Sequence, residues 1–144
     1  MTETTNKPGP IFWIISAVAL VWNLLGVMAF TVQLTMSDET RAQLPELERT
    51  IYANIPSWYM IAFGLAVFAG TLGCVALLLR KKWALILFAL SFIAILAQQV
   101  YMFVLSDIGK HMSAGQLSMT LSIPVAGLFL IWFARKKTAK GWLT

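Results

Sequence analysis

Four long stretches of this sequence carry no charged side chain. They cover residues 11–36, 57–79, 83–105 and 117–134. An α-helix rises about 1.5 Å per residue, so roughly 20 apolar residues cross the hydrocarbon core of a bilayer. Each stretch approaches or exceeds that length. Only 12% of all residues are charged, whereas soluble domains carry about 25%. The sequence therefore predicts an all-α protein, a bundle of four transmembrane helices.

The charges outside these stretches predict an orientation. Residues 1–10 are a polar tail, residues 11–134 contain the four stretches, and residues 135–144 are a basic tail. Cytoplasmic segments of membrane proteins are enriched in Lys and Arg. With both termini in the cytoplasm, eight of the eleven Lys and Arg lie inside: Lys7, Arg80, Lys81, Lys82, Arg135, Lys136, Lys137 and Lys140. We therefore expect a multi-pass protein of the bacterial inner membrane whose basic clusters meet anionic lipid head groups.

The one sizeable polar segment covers residues 37–56, between the first two stretches. Ser37 is a good helix N-cap, and Pro45 suits a first helical position. Apolar residues recur every four positions along the second half of the segment: Leu47, Ile51 and Ile55. This spacing favours a short amphipathic helix that lies on the outer membrane surface. An ordinary outer loop is the alternative.

Several function classes lack the residues that they need. A single cysteine, Cys74, and a single histidine, His111, exclude an internal disulfide and the usual zinc sites. The net charge of +5 is confined to the ends of apolar stretches and accompanies no nucleic-acid motif, so we expect no nucleic-acid partner. No Asp, Glu, Lys, Arg or His lies within a stretch, which argues against a proton-coupled pump and against an enzyme with acid–base residues in the membrane. We expect no metal and no cofactor.

Neutral polar residues occur within the first and third stretches. At heptad spacing, Asn23 shares one helix face with Ser16 and Gln33, and Gln98 shares another with Ser91. An amide in hydrocarbon without a partner costs several kcal/mol, so both faces must meet protein or water. The functional interpretation is a substrate-binding site formed by Asn23, Gln98 and Gln99 and flanked by Trp22 and Tyr101. The structural alternative is hydrogen bonding between helices that fixes their register.

The second stretch carries a row of small residues. Side chains with little bulk recur every four positions, with one more beside them: Ala62, Ala66, Gly70, Cys74 and Gly73. Such a row lets a neighbouring helix approach closely, so we expect helix packing here; a glycine-lined pore is the alternative. Cys74 belongs to this row, so its thiol should be unreactive.

Pro124 interrupts the fourth stretch. Proline has no backbone N–H, so one helical hydrogen bond must be missing there. In a membrane the freed carbonyl needs another partner. The residue is either a hinge or a simple bend.

Short motifs give the chain a resemblance to a known family. They are Trp22-Asn23-Leu24-Leu25-Gly26, Tyr52, Ile55-Pro56-Ser57-Trp58, Gly70-x-x-Gly73, Arg80-Lys81-Lys82-Trp83-Ala84 and Gln98-Gln99-x-Tyr101. Over roughly residues 12–135 the chain resembles small four-span bacterial inner-membrane proteins that are often labelled sugar transporters. The resemblance implies sugars as a candidate substrate class.

Two functions therefore remain open at the level of sequence. The first is a transporter or channel-like protein for a neutral polar solute such as a sugar, with a homo-oligomer as its expected state. The second is a membrane scaffold or accessory subunit that does not transport and acts through helix packing and the 37–56 segment. A cavity that reaches Asn23 and Gln98 would favour the first, and a sealed bundle would favour the second.

Overall fold

The computed structural model describes residues 7–144, and the described chain is all-α. Residues 1–6 of the expected N-terminal tail lie outside the described part. Four long helices form a bundle, and short helical elements connect them. In chain order the elements are α1 (Pro10–Leu34), α2 (Asp38–Ala42), α3 (Glu46–Asn54), α4 (Ser57–Leu78), α5 (Ala84–Val100), a π-helical turn (Tyr101–Leu105), a 3-10 turn (Ile108–His111) and α6 (Ala114–Ala139).

Four helices are long and apolar enough to cross a membrane. They are α1, α4, α5 together with its π-helical turn, and α6. This confirms the predicted four-helix class and makes the chain a multi-pass membrane protein. The longest, α6, extends beyond the predicted 117–134 at both ends. It begins early because Ser113 and Gln116 form a capping box, which satisfies two backbone N–H groups at its start.

The 37–56 segment contains two short helices rather than one. Ser37 caps α2, since its Oγ accepts a hydrogen bond from the N–H of Thr40 at 3.2 Å. Pro45 is the N-cap of α3 and not its first helical residue, so that detail of the prediction is wrong. The backbone of Pro45 has a ψ of 149°, which is not helical, so the helix begins one residue later, at Glu46. Neither helix buries a residue.

The long helices pack as an open row. In the described chain α1 packs on α4, α4 on α5, and α5 on α6. The small residues of α4 make the tightest of these contacts, and all five are buried: Ala62, Ala66, Gly70, Gly73 and Cys74. A methyl group built on Gly73 would lie 2.7 Å from Phe88 Cε1 of α5, so only glycine fits there. The remaining pair, α1 and α6, borders the open side of the row.

One end of the bundle, which we call the basic end, contains the turn at residues 79–83 and the C-terminus. Here α1 and α6 do meet, with the rings of Phe12 and Phe133 stacked at 5.8 Å. The C-terminal residues fold back over this end and bury Leu143 completely. The basic residues 135–144 are therefore packed against the bundle. Their aliphatic and aromatic parts complete the main hydrophobic core.

Two hydrogen bonds to backbone carbonyls hold the C-terminal residues at the basic end. Arg80 Nε donates to the carbonyl of Trp142 at 2.8 Å, and the N–H of Thr144 donates to the carbonyl of Arg80 at 2.8 Å. Arg80 has a positive φ of 58°, the left-handed conformation that often ends a helix. The opposite end, with residues 35–56 and 106–113, is the loop end.

Candidate functional site

A cavity of about 320 Å³ lies between the four long helices. Small-molecule sites in proteins start at about 300 Å³, so the space is sufficient for a small ligand. Each long helix contributes to its wall, and most of the wall is apolar. Four of the five residues predicted from sequence to bind a substrate line it: Trp22, Asn23, Gln98 and Gln99.

The cavity ends against the basic-end core and opens on the side between α1 and α6. Phe88 and Leu130 line the cavity and also belong to the buried core beneath it. At the rim, Leu25 of α1 and Met119 of α6 are more than half exposed. No residue of α1 beyond Ala19 is fully buried, although Gly26 and Phe30 still pack against α4. The cavity is thus a pouch with one closed end.

Asn23 has one amide orientation that fits its surroundings. Its Nδ2 lies 2.9 Å from the carbonyl of Ala19 and 3.5 Å from Cys74 Sγ. A carbonyl can only accept a hydrogen bond, so the NH2 group must face Ala19. The oxygen Oδ1 consequently faces the other way, towards Gly70 of α4.

Gly70 leaves space for two polar side chains of neighbouring helices, Asn23 and Ser91, which both line the cavity. A methyl group built on it would overlap Asn23 Oδ1 and would lie 3.3 Å from Ser91 Oγ. Asn23 from α1 and Ser91 from α5 therefore approach the same glycine from two sides. Ser91 donates its hydroxyl proton to the carbonyl of Ala66 at 2.6 Å. The two predicted polar faces meet here across α4.

Gln99 compensates for the proline in α6. The carbonyl of Thr120 stands four residues before Pro124, which has no N–H to offer it. Gln99 Nε2 donates to that carbonyl at 3.3 Å. The other end of the amide, Oε1, is buried without a hydrogen-bond partner. Gln99 thus joins α5 to the turn of α6 that Pro124 interrupts.

Gln98 and Tyr59 form the polar part of the cavity wall nearer the loop end. Both line the cavity, and the side chain of Gln98 lies near the phenol of Tyr59. The ring of Tyr59 is also in contact with the ring of Tyr101, at a centroid distance of 5.0 Å. Asn23 does not pair with Gln98, although both face the same space.

Tyr101, the fifth predicted residue, lies outside this cavity. Its hydroxyl donates to the carbonyl of Asn54 at 3.3 Å, which ties the π-helical turn to the end of α3. It lines a second cavity of about 240 Å³ at the loop end.

The loop end also carries an exposed ion pair. Lys110 Nζ lies 2.9 Å from Asp107 Oδ1, and this hydrogen bond lowers the pKa of the Asp107 carboxyl.

Sequence reasoning missed three residues that shape the site. Ser91 was placed on the correct face but was not chosen as a site residue. Tyr59 stands at the start of an apolar stretch, where aromatic residues are common at the membrane interface. Thr120 acts only through its backbone carbonyl, and the signal for it was Pro124, four residues later.

The cavity wall is uncharged. Among the described residues that line it there is no Asp, Glu, Lys, Arg or His. Within residues 7–144 no three His, Cys, Asp or Glu side chains come together as a metal site would require. Comparisons of the chain with protein-family models, with curated proteins and with solved structures found no match.

Proposed function

We propose that this protein is a small transporter that carries a neutral molecule across the bacterial inner membrane. The observation that supports this most strongly is the uncharged cavity between the long helices, which reaches Asn23 and Gln98. A bundle built only for stability would be expected to pair such amides with neighbouring helices rather than leave them beside an open space. Amides that face a cavity can instead bind a solute.

The proposed orientation places the basic end in the cytoplasm. Lys136 and Lys137 lie at 4.9 and 5.2 Å over the rings of Trp132 and Phe133. Aromatic rings and basic residues at one helix end are typical of the membrane interface, where the cations meet anionic lipid heads. In this orientation the pouch is closed towards the cytoplasm. Its open side faces the membrane between α1 and α6.

The accessory-subunit alternative rests on the same open side. A helix of a partner, or of a second copy in a homo-oligomer, would fill the space between α1 and α6 and leave no room for a solute. The exposed α2 and α3, with Leu47 45% exposed, would then add a contact surface. The two functions can be distinguished by measuring whether the protein takes up a solute and whether that uptake needs the cavity.

Uptake by proteoliposomes tests the proposal. The purified chain is reconstituted, and the entry of a panel of labelled neutral solutes, sugars included, is followed over time. Ala126 lines the cavity from α6, and Ala126→Phe fills it. Val125, its neighbour on the same helix, is 68% exposed, so Val125→Phe adds the same ring outside the cavity and serves as the matched control.

We expect uptake of at least one solute with the unmodified chain, a loss of more than tenfold with Ala126→Phe, and little change with Val125→Phe. Equal uptake by the two variants would contradict a transport route through this cavity. Absence of uptake with every solute, together with a stable complex with another membrane protein that Ala126→Phe disrupts, would favour the accessory subunit.

A further inference from the structure

We propose that the cavity at the loop end is the outer entrance to the cavity between the long helices, here called the central cavity, and that the rings of Tyr59 and Tyr101 form the partition between the two. The solute that uses this entrance is a neutral molecule that dissolves in water. The inference rests on the proposed function and adds the path by which a solute reaches the same cavity. It follows from which residues line each cavity and from how they touch.

The loop-end cavity has the polar wall that a water-soluble molecule needs. Its volume is about 240 Å³, and six of its nine lining residues have side chains that form hydrogen bonds: Thr50, Asn54, Tyr101, Ser106, Asp107 and His111. Thr50 and Asn54 on α3 are exposed, as are Asp107 and His111 across the cavity. A solute can therefore meet this wall directly from water.

Two tyrosine rings stand where the cavities adjoin. Tyr59 of α4 lines the central cavity, and Tyr101 at the end of α5 lines the loop-end cavity. Their ring centroids are 5.0 Å apart, and neither residue is more than 9% exposed. The ring of Trp58 supports the pair, since it meets the ring of Tyr101 edge-on at 5.5 Å. The two cavities are therefore neighbours across one aromatic contact.

The surroundings of Tyr101 favour movement of its ring. Tyr101 begins a π-helical turn, a rare helix form that often occurs at functional sites. Its hydroxyl donates to the carbonyl of Asn54 at 3.3 Å, which is long for an O–H donor. Rotation of this ring gives up one weak hydrogen bond and one aromatic contact, and it joins the two cavities.

The other sides of the central cavity do not suit a water-soluble solute. At the basic end Phe88 and Leu130 belong to the buried core. Between α1 and α6 the cavity meets hydrocarbon, where each unpaired hydroxyl or amide of a solute costs free energy. The loop end remains, and there a polar cavity already lies against the ring pair.

The reaction of a cysteine inside the central cavity tests the partition. Ala126 lines that cavity from α6, and Ala126→Cys places a thiol there. The chain is held in lipid nanodiscs and treated with iodoacetamide, a small neutral reagent that dissolves in water. A parallel reaction uses N-phenylmaleimide, which dissolves in lipid and reaches the same thiol through the open side. The chain with Cys74 alone, which is buried, provides the background.

Tyr101→Ala and Tyr59→Ala should each raise the rate with iodoacetamide about tenfold, the factor expected when one aromatic contact is lost. Neither should change the rate with N-phenylmaleimide, and either variant provides the test if the other does not fold. Tyr101→Phe keeps the ring and should react as slowly as the chain with both tyrosines. Phe103→Ala is the matched control, because Phe103 belongs to the same π-helical turn but lines neither cavity. It should leave both rates unchanged.

The outcomes separate this inference from the function on which it rests. Equal iodoacetamide rates with and without the two rings would overturn the partition and favour entry from the lipid side. A rise with both reagents would also overturn it, because the tyrosines would then stabilise the fold rather than separate two spaces. Absence of uptake in proteoliposomes, together with the expected rise for iodoacetamide alone, would leave the partition standing and overturn transport.

Discussion

Gln99 of α5 is hydrogen-bonded to the backbone carbonyl of Thr120 in α6, at the turn where Pro124 has no N–H to offer that carbonyl. The side-chain NH2 group of Gln99 lies 3.3 Å from the carbonyl oxygen that Pro124 leaves unpaired. This turn of α6 is therefore bound to α5 by a specific hydrogen bond. Both residues line the cavity, so the same contact shapes its wall.

The first prediction tests this pairing with a rescue. Gln99→Leu leaves the carbonyl of Thr120 without a donor, which should lower stability by about 1–3 kcal/mol. The double variant Gln99→Leu with Pro124→Ala restores a backbone N–H in α6 and should recover most of that loss. Thermal unfolding in detergent measures both. Equal midpoints for the single and double variants would show that Thr120 does not depend on Gln99.

The second prediction concerns Gly70. Gly70→Ala places a methyl group on Asn23 Oδ1, so the amide must rotate and give up its contacts with Ala19 and Cys74. We expect a net loss of about 1 kcal/mol despite the higher helix propensity of alanine. Gly115, also in a helix, has nothing within 4 Å of that position, so Gly115→Ala should cause no loss. A chain in which both variants unfold at the same temperature would contradict the packing described here.

The third prediction is the orientation of the chain in the membrane. Cysteines placed at the exposed positions Ala42 and Lys81 are labelled in intact cells with a reagent that does not cross the membrane. Ala42→Cys should react and Lys81→Cys should not, because the Lys and Arg distribution places residue 81 inside. The native Cys74 is buried and should stay unlabelled, which provides the background. The reverse pattern would invert the orientation.

The fourth prediction concerns the closure of the basic end. Leu143 is fully buried, whereas Leu128 on the surface of α6 is 58% exposed. Leu143→Ala should destabilise the bundle by about 2–5 kcal/mol, the usual range for a buried leucine. Leu128→Ala removes the same atoms from a position that faces lipid and should cost much less. Chemical unfolding in mixed micelles compares the two, and a similar cost at both positions would argue that the C-terminal residues are not packed in solution.

The helices could be predicted from sequence because they depend on local properties. Uncharged runs of sufficient length and a row of small residues in α4 are visible without knowing what lies opposite. The packing of the C-terminal residues could not be predicted, because the burial of Leu143 accompanies the left-handed conformation of Arg80 and the hydrogen bond from the N–H of Thr144 to the carbonyl of Arg80. Such a contact joins residues far apart in sequence.

The candidate site was predictable in composition but not in its pairing. The cost of burying an amide places Asn23 and Gln98 towards protein or a cavity, and both line the same one. Which atom each amide faces depends on neighbours from other helices, here Cys74, Gly70 and the phenol of Tyr59. The sequence predicts that Tyr101 flanks the same site. In the structure Tyr101 begins the π-helical turn, and its hydroxyl donates to the carbonyl of Asn54 instead.

The closed floor of the pouch, formed by Phe88 and Leu130 above the buried Leu143, has a kinetic consequence. The described residues close the cavity towards the basic end. Under the proposed function, a solute that crosses would need a second conformation in which this end opens, for example by loss of the contact between Arg80 and Trp142. Alternating access of that kind admits one molecule per cycle, so the rate of uptake should saturate with solute concentration, whereas flux through a continuous pore would keep rising over the same range.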